Sequence, residues 1–363
     1  MKLPLALLLA SSACAQFYPG LSLPPSGANQ KASVSQSIGP VQISIEYSSP
    51  AVKNRRGQIW GKLVPYGLTD LGYGHHKPSP WRAGANEGTV FAVCHPVTIN
   101  GQPLSAGRYG LHMIAGPTEW TIIFFKNSTA WGSFFYEPSE DVLRVTAKPS
   151  KHDFREYLTY EFPIRQPAEA VAEMQWEELA VAWTIAVPNL NQVYLSRIRE
   201  ELKTVPGFNW AAYIEAIQFC LERNINLPEA LVWAQTAIST PFVGQANFAT
   251  LSAKAEVLTK LGRAEDSKTA RLAALNHPTA SVVQIHQYGR QLLAGKQPAA
   301  ALAVFELNHK RYVDIWPVHL GLARGYAALG NKTKALEHAK IALPQAPDPL
   351  NKKGVEDLIA AMQ

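Results

Sequence analysis

The spacing of apolar residues along this 363-residue chain changes near residue 190. Before that point the chain contains short runs in which apolar and polar residues alternate, as in VQISIEY at 41–47. A period of two is typical of a strand that buries one face. After residue 190, apolar residues recur every three or four positions in long stretches rich in Ala and Leu, which is typical of amphipathic helices. We therefore expect a multi-domain chain, β then α, with a β domain at 33–189 and a helical domain at 190–363.

Turn residues separate the alternating runs of the first half, as at Asn100-Gly101. The runs lie at 41–47, 89–97, 107–114, 120–125, 142–147, 157–162, 171–176 and 179–187. Short strands with close turns and no helical period between them indicate an antiparallel sandwich or barrel, and we expect a β-sandwich. With 47% hydrophobic and 17% charged residues, the chain has ample material for buried cores, so a disordered polypeptide is excluded.

The helical half carries a repeated turn. Gly262, Gly295 and Gly330 each follow Leu or Ala, and they lie 33 and 35 residues apart. An earlier, weaker turn at 224–226 has Ile225 in the glycine position, 37 residues before Gly262. Small residues follow each turn where two antiparallel helices must approach closely. This pattern resembles the tetratricopeptide repeat, whose period is about 34 residues. It predicts about four stacked helical hairpins, and a simple helical bundle is the alternative.

The first residues resemble an export signal. Lys2 is followed by the apolar stretch 3–10 and by the small residues around Cys14, which predicts a signal peptide at 1–15 and a mature chain beginning at Gln16. Attachment of a lipid to Cys14 is an alternative. The Pro- and Gly-rich stretch 16–32 is expected to be a flexible lead. Localisation is therefore predicted as periplasmic or extracellular. No later apolar run approaches the length of about 18 residues that a transmembrane segment needs.

Several segments of the β half resemble an exported bacterial family of unknown function, the domain-of-unknown-function family 2911. They are SQSIG at 35–39, EYSSPAVK at 46–53, WRAGANE at 81–87, LSAGRYGL at 104–111, EWTII at 119–123 and EDVLRV at 140–145. The resemblance covers 32–189. It implies an exported β-rich domain, found in some members ahead of helical repeats, with no catalytic residues to carry over. The stretch 68–80 is an insert relative to the usual pattern of the family.

The WRAGANE loop holds the densest set of polar candidates. Arg82 offers a planar fork of donors, Asn86 both donors and acceptors, and Glu87 a carboxylate, so the loop could bind a ligand or use Glu87 as a general acid or base. The alternative is structural: Arg82 pairs with Glu87 or Glu46, and Asn86 caps the turn. A further basic cluster, formed by Lys53, Arg55 and Arg56, is interpreted as a hairpin tip, and contact with an anionic polymer or lipid head-groups is the alternative.

Aromatic residues suggest a second kind of site. Trp60, Trp81 and Trp131 lie beside Gly-rich turns, and exposed indole rings there could form a platform for a sugar ring. The adjacent His75 and His76 are the candidates for a metal site, with help from Asp70, His95 or His112. Neighbouring side chains in extended backbone point to opposite sides, so this is a weak metal motif.

Two cysteines would remain in the mature chain, Cys94 and Cys220. They fall in different predicted domains, so we expect each to be a buried small residue rather than half of a disulfide.

The net charge of +6 has no run of five basic residues behind it, so we expect no nucleic-acid partner. The motifs of serine hydrolases, P-loop NTPases and dinucleotide-binding enzymes are missing, and no cofactor is expected. The first hypothesis is an exported, non-catalytic binding or scaffold protein. Its helical repeats would present a concave surface to a protein or peptide, and its β domain would bind a carbohydrate or other small ligand. The alternatives are an extracytoplasmic enzyme that uses Glu87 with Arg82 and Asn86 on a polymer or peptide, and a metal-binding protein that uses His75 and His76.

Overall fold

A computed structural model describes residues 29–72 and 74–362. The chain divides into two compact units, the first ending at Ser196 and the second beginning at Arg197. The predicted signal peptide, Cys14 and most of the predicted lead lie outside the described residues. Within the described part of the chain, no helix combines the length and the apolar character needed to cross a membrane.

The first unit is a β-sandwich made of ten strands in the described residues. They are β1 (Gln30–Ile38), β2 (Val41–Ser49), β3 (Thr89–Val93), β4 (Val97–Ile99), β5 (Gln102–Leu104), β6 (Gly107–Ile114), β7 (Trp120–Phe125), β8 (Asp141–Ala147), β9 (Pro149–Gln166) and β10 (Glu169–Ala186). One sheet has the order β1-β2-β3-β6-β7-β8, and the other has the order β5-β4-β10-β9. Every strand pair is antiparallel, as the alternating runs predicted. Large buried side chains from both sheets, among them Trp120, Trp176 and Trp183, form the core.

The predicted strands differ from the observed ones where the pairing is irregular. The runs 171–176 and 179–187 belong to the single strand β10, whose register against β9 shifts near Glu177. Such bulges interrupt the period of two without ending the strand. The run 89–97 is divided into β3 and β4 by a bend. β1 begins at Gln30, so the last three residues of the predicted lead 16–32 are part of a strand.

The second unit is an array of helical hairpins. The α-helices of the described residues are α1 (Leu190–Glu201), α2 (Trp210–Arg223), α3 (Leu227–Ser239), α4 (Phe248–Lys260), α5 (Ala264–Asn276), α6 (Val282–Ala294), α7 (Pro298–Arg311), α8 (Trp316–Ala328), α9 (Lys332–Ala342) and α10 (Pro349–Ala360). Four antiparallel pairs follow one another: α2 with α3, α4 with α5, α6 with α7, and α8 with α9. First helices also pack on each other, α2 on α4 and α6 on α8. The predicted repeat array is therefore confirmed, in preference to a simple bundle.

The glycines of the repeated turn are unevenly spaced because the left-handed residue of a turn is not always glycine. Gly262 (φ +74°) and Gly330 (φ +77°) take the left-handed conformation that ends a helix and that glycine adopts without strain. In the first hairpin Asn224 takes this role, at φ +52°. In the third hairpin Lys296 (φ +56°) is the left-handed residue, whereas Gly295 has a φ of −78°. The same turn is thus built with Gly, Asn or Lys, which weakens the sequence signal.

Glycines let α6, α7 and α8 approach closely. Phe305 of α7 is fully buried, and a β-carbon added to Gly289 of α6 or to Gly321 of α8 would overlap its ring. A β-carbon at Gly325 would lie 3.1 Å from ring atom Cδ2. The aromatic ring therefore occupies space that glycine leaves free on two first helices.

Candidate functional site

The WRAGANE loop is held against the larger sheet by its own backbone. Trp81 exchanges two backbone hydrogen bonds with Met113 of β6, each 2.8 Å long. Ala83 is buried at a φ of +53°, and its carbonyl oxygen accepts hydrogen bonds from the Tyr160 hydroxyl at 2.7 Å and the Thr89 hydroxyl at 2.9 Å. The loop is thus a rigid part of the sandwich.

Arg82 and Asn86 make contacts within the fold. The guanidinium of Arg82 donates to the backbone carbonyl of Asn86 and lies 5.0 Å from the ring centroid of Phe134. Asn86 is left-handed, at φ +56°, and its side-chain amide exchanges hydrogen bonds with Asn29, with distances of 3.3 and 3.4 Å. These contacts hold the loop in place and bring the start of β1 to it.

Glu87 faces the first two strands. Its Oε2 accepts a hydrogen bond from Ser48 of β2 at 3.2 Å, and its Oε1 lies 3.4 Å from Nζ of Lys31 of β1. Glu46, the alternative partner considered for Arg82, forms an ion pair with Arg108 at 3.2 Å. Arg82, Asn86 and Glu87 are therefore each held by their own partners.

The tryptophans are more buried than expected. Trp60 lies edge-on to Trp81, Trp120 and Trp176, with ring centroids 5.8, 5.1 and 5.5 Å away. Trp60 and Trp81 are only partly exposed and pack against the core, so these two rings are less accessible than expected. Glycine-rich turns predicted exposure, but here the turns fold back over the sandwich. Trp131 is exposed, at 51%.

A cavity of about 280 Å³ opens beside this aromatic cluster. Trp81 and Arg82 line it, together with Trp176, Arg55 and Ser133. Asn86 and Glu87 are absent from its described wall. Neighbouring residues of the loop therefore face different surroundings: Arg82 lines the cavity, whereas Glu87 contacts β1 and β2. Their closeness in the sequence does not reveal this difference.

The predicted histidine site is open and polar. Nε2 of His75 lies 3.9 Å from Oε1 of Glu137, and His76 is exposed at a φ of +49°. His112, considered as a helper, is buried and contacts the Gly132 carbonyl at 3.3 Å through Nε2. Burial lowers the pKa of His112 to about 4. Among the described residues, no three His, Cys, Asp or Glu side chains are grouped so that they could hold a metal ion.

The two described cysteines are free. Cys220 is buried in α2, as predicted, whereas Cys94 is exposed, so the prediction of burial is wrong there. Cys94 follows the end of β3, and its sulfur accepts the backbone N–H of Gln42 at 3.1 Å.

A cationic site that the sequence analysis did not single out lies on the first helices of the third and fourth hairpins. Arg290 belongs to α6 and Arg324 to α8, two helices that pack together. Burial and, second, the charge of Arg290 lower the pKa of Arg324. Burial and then the charges of Arg324 and Arg290 lower the pKa of the buried His286, also on α6, to about 4. Within the described residues neither arginine forms a hydrogen bond or ion pair.

A sequence signal for this site exists. Arg290 and Arg324 stand five and six residues before Gly295 and Gly330, so they occupy nearly the same place in successive repeats. A basic residue at one position of two adjacent repeats predicts two charges on one face of the array.

The fold defines a two-part protein, a β-sandwich followed by an array of helical hairpins. Residues 29–185 match the model of the family described as protein of unknown function, DUF2911, so the resemblance seen in the sequence is confirmed. No curated protein matches the chain.

Solved structures similar to this chain include several tetratricopeptide repeat proteins. One from Parabacteroides merdae is 16% identical and covers 47% of this chain and 66% of its own, with a TM-score of 0.32. YrrB, described as a tetratricopeptide protein with an unusual peptide-binding site, is 19% identical over 47% of this chain and 84% of its own, with a TM-score of 0.31. A protein of Thermus thermophilus is 20% identical over 47% and 90%, with a TM-score of 0.30.

Proposed function

We propose that this protein is a binding scaffold whose helical repeats hold an acidic segment of a partner protein. The observation that carries the proposal is the pair Arg290 and Arg324, two cations on packed helices without a carboxylate partner in the described structure. The charge of Arg290 contributes to the lowered pKa of Arg324, which supports a position of the two charges close enough to interact. A carboxylate between them would relieve the repulsion and receive planar, charge-assisted hydrogen bonds.

Partial burial makes Arg324 more selective than an exposed basic residue. Arg324 is half-buried, and its desolvation is the main cause of its lowered pKa. Charges at such a site interact more strongly than charges in bulk water, because the effective dielectric constant is lower. The neighbouring His286 stays neutral at pH 7, because its pKa is about 4, and so adds no third positive charge.

Fluorescence anisotropy with two short labelled peptides tests the proposal. One peptide contains Glu, Ala and Leu, and the other has Gln in place of every Glu. We expect the full chain to bind the Glu peptide at least about 10-fold more tightly than the Gln peptide, and the difference to shrink as salt is added. Equal binding of the two peptides would contradict the proposal.

The matched variants are Arg290→Gln, Arg324→Gln and the control Arg263→Gln. Arg263 belongs to the same unit but is exposed and paired with Asp266. We expect each of the first two variants to weaken binding of the Glu peptide about 10-fold and the control to leave it within about twofold. Loss of the Arg324 charge also removes a repulsion, so Arg324→Gln is expected to keep or raise the thermal midpoint. Equal weakening in the control would show non-specific attraction instead.

Export remains part of the proposal and rests on the first fifteen residues of the sequence. Expression of the full chain in a Gram-negative host, followed by fractionation and N-terminal sequencing, tests it. We expect a periplasmic protein that begins at Gln16. Retention in the cytoplasm with an uncleaved N-terminus would refute export, and loss of processing in Cys14→Ser would instead show lipid attachment at that cysteine.

A further inference from the structure

The cavity of the β unit has walls of one charge sign. Arg55 and Arg82 contribute to it, and no Asp or Glu is present among the described residues that line it. Its volume, about 280 Å³, lies near the lower end of the range for small-molecule sites. From these features we infer that the cavity binds a small carboxylic acid with a flat, apolar body, independently of the partner that the helical repeats bind.

Arg55 supplies the positive charge for this ligand. Its Nε donates to the carbonyl of Val52 at 3.1 Å, and its Nη2 donates to the carbonyl of Ala51 at 2.6 Å. These carbonyl groups hold the side chain in place but do not neutralise it. Nη1 forms no hydrogen bond with any described residue, and the guanidinium has no ion pair among them. A half-buried arginine in this state is a ready partner for a carboxylate.

Two residues of the cavity wall carry buried donors that have no partner among the described residues. Ser133 and Trp176 are 1% and 2% exposed, and neither the hydroxyl of Ser133 nor the indole Nε1 of Trp176 has a hydrogen-bond partner in the described structure. Buried polar groups are nearly always paired in folded proteins, because an unpaired donor costs about 1–3 kcal/mol. Both donor atoms lie just behind the cavity surface, so oxygen atoms of a ligand would supply their acceptors after a small movement of the wall on binding.

The apolar part of the wall favours a flat ligand. The rings of Trp81 and Trp176 are nearly parallel, with an interplanar angle of 15° and centroids 6.2 Å apart. Leu63, Val64 and Pro65 complete the apolar surface. Indole faces attract planar groups, and the surrounding aliphatic side chains exclude water from them. A flat acid can thus place its ring on this wall and its carboxylate towards the arginines.

The experiment uses the full chain and two pairs of probes in isothermal titration calorimetry. Each pair contains an acid and its neutral amide: benzoate with benzamide, and indole-3-acetate with indole-3-acetamide. We expect at least one acid to bind with a dissociation constant below about 1 mM and its amide to bind about 10-fold more weakly or not at all. Equal affinity of acid and amide, or no binding of either acid at about 10 mM, overturns the inference.

The matched variants are Arg55→Gln and Arg56→Gln. Arg56 is the next residue, but it is exposed, pairs with Glu178 and is not part of the described wall. We expect Arg55→Gln to weaken binding of the acid about 10-fold and Arg56→Gln to change it less than about twofold. Equal effects of the two variants would place the ligand elsewhere.

Ser133→Ala keeps the test decisive if Arg55→Gln fails to fold. This change removes an unpaired hydroxyl, so we expect the thermal midpoint to stay or rise while binding of the acid weakens a few-fold. Unchanged affinity in a folded Ser133→Ala protein would contradict the assigned role of this donor. Arg324→Gln, in the helical unit, is expected to leave binding of the acid unchanged, so the two proposed sites can fail separately.

Discussion

Replacement of Gly289 by Ala tests the packing that joins the third and fourth hairpins. The new β-carbon would lie 2.6 Å from Cζ and 2.8 Å from Cδ1 of Phe305, and closer still to Cε1. An ordinary contact lies at 3.4–4 Å, so the buried ring must move by several tenths of an ångström or more. Overpacking of this kind costs about 1–3 kcal/mol, whereas Ala in a helix interior gains about 1 kcal/mol over Gly. Because the new β-carbon would overlap a fully buried ring, we take the overpacking cost at about 2–3 kcal/mol, which leaves a net loss of about 1–2 kcal/mol in the free energy of unfolding.

Circular dichroism at 222 nm is the appropriate assay, because nearly all of the described helical residues belong to the second unit. For a unit of this size, 1 kcal/mol corresponds to about 2–4 °C in the thermal midpoint, so Gly289→Ala should lower it by roughly 2–8 °C. The control is Gly354→Ala in α10, where a β-carbon meets nothing within 4 Å. That change should raise stability by about 0.5–1 kcal/mol.

A second change at Phe305 separates overpacking from other effects. Leucine lacks the ring atoms Cε1 and Cζ, so Phe305→Leu should cost stability alone but remove most of the penalty of Gly289→Ala. We expect the double-mutant cycle to give a coupling energy of at least about 1 kcal/mol. The reasoning is refuted if Gly289→Ala stabilises the protein as much as Gly354→Ala does, or if the two changes are additive.

Three further predictions concern buried and paired polar groups. Tyr160→Phe should lower the free energy of unfolding of the β unit by only about 1 kcal/mol, because Thr89 still donates to the Ala83 carbonyl. Urea titration followed by tryptophan fluorescence measures this change. The double variant with Thr89→Val leaves the carbonyl without a donor, so it should cost more than the sum of the two single changes. The pKa of His286 is about 4 in the folded protein, so the unfolded chain takes up the proton first as the pH falls. The free energy of unfolding of the helical unit should therefore fall by up to about 1.4 kcal/mol per pH unit between pH 6.5 and 4. The same pH slope in His286→Gln would contradict this. Arg199 lowers the pKa of Glu229, and this partly exposed pair should contribute at most about 1 kcal/mol to the free energy of unfolding. The contribution is complete above the ordinary glutamate pKa of 4.5 and is lost as the pH falls through the lowered pKa. Glu229→Gln should abolish this pH dependence.

Local patterns in the sequence predicted the elements well where one rule acted alone. The runs 107–114 and 120–125 coincide with β6 and β7, because each alternates and ends at a turn. The turns at Gly262 and Gly330 were found for a similar reason, because a left-handed glycine ends the helix at each. Prediction was poorer along β10, where a bulge near Glu177 interrupts the alternation of a continuous strand. It was also weaker at the turn beginning with Asn224, because Asn can replace Gly in the left-handed conformation.

The candidate sites were much less predictable than the elements. The sequence indicated that the loop at 81–87 is unusual, but it could not divide that loop between a cavity and a sheet contact. Arg55 and Arg82 are separated by a long stretch of chain, and they line the same cavity only because the turns fold back over the sandwich. Trp60 is less exposed than expected for a similar reason, since three other indoles surround it.

The order of the two domains, the type of their elements and the hairpin turns follow from the sequence by itself, because periodicity and turn chemistry act between residues close in the chain. Tertiary structure decided the charged cavity and left the arginines of α6 and α8 without a partner among the described residues. Charge neutralisation and burial depend on distances in space between residues that are distant in sequence. No local pattern contains those distances, and so the fold was predicted more completely than the sites it carries.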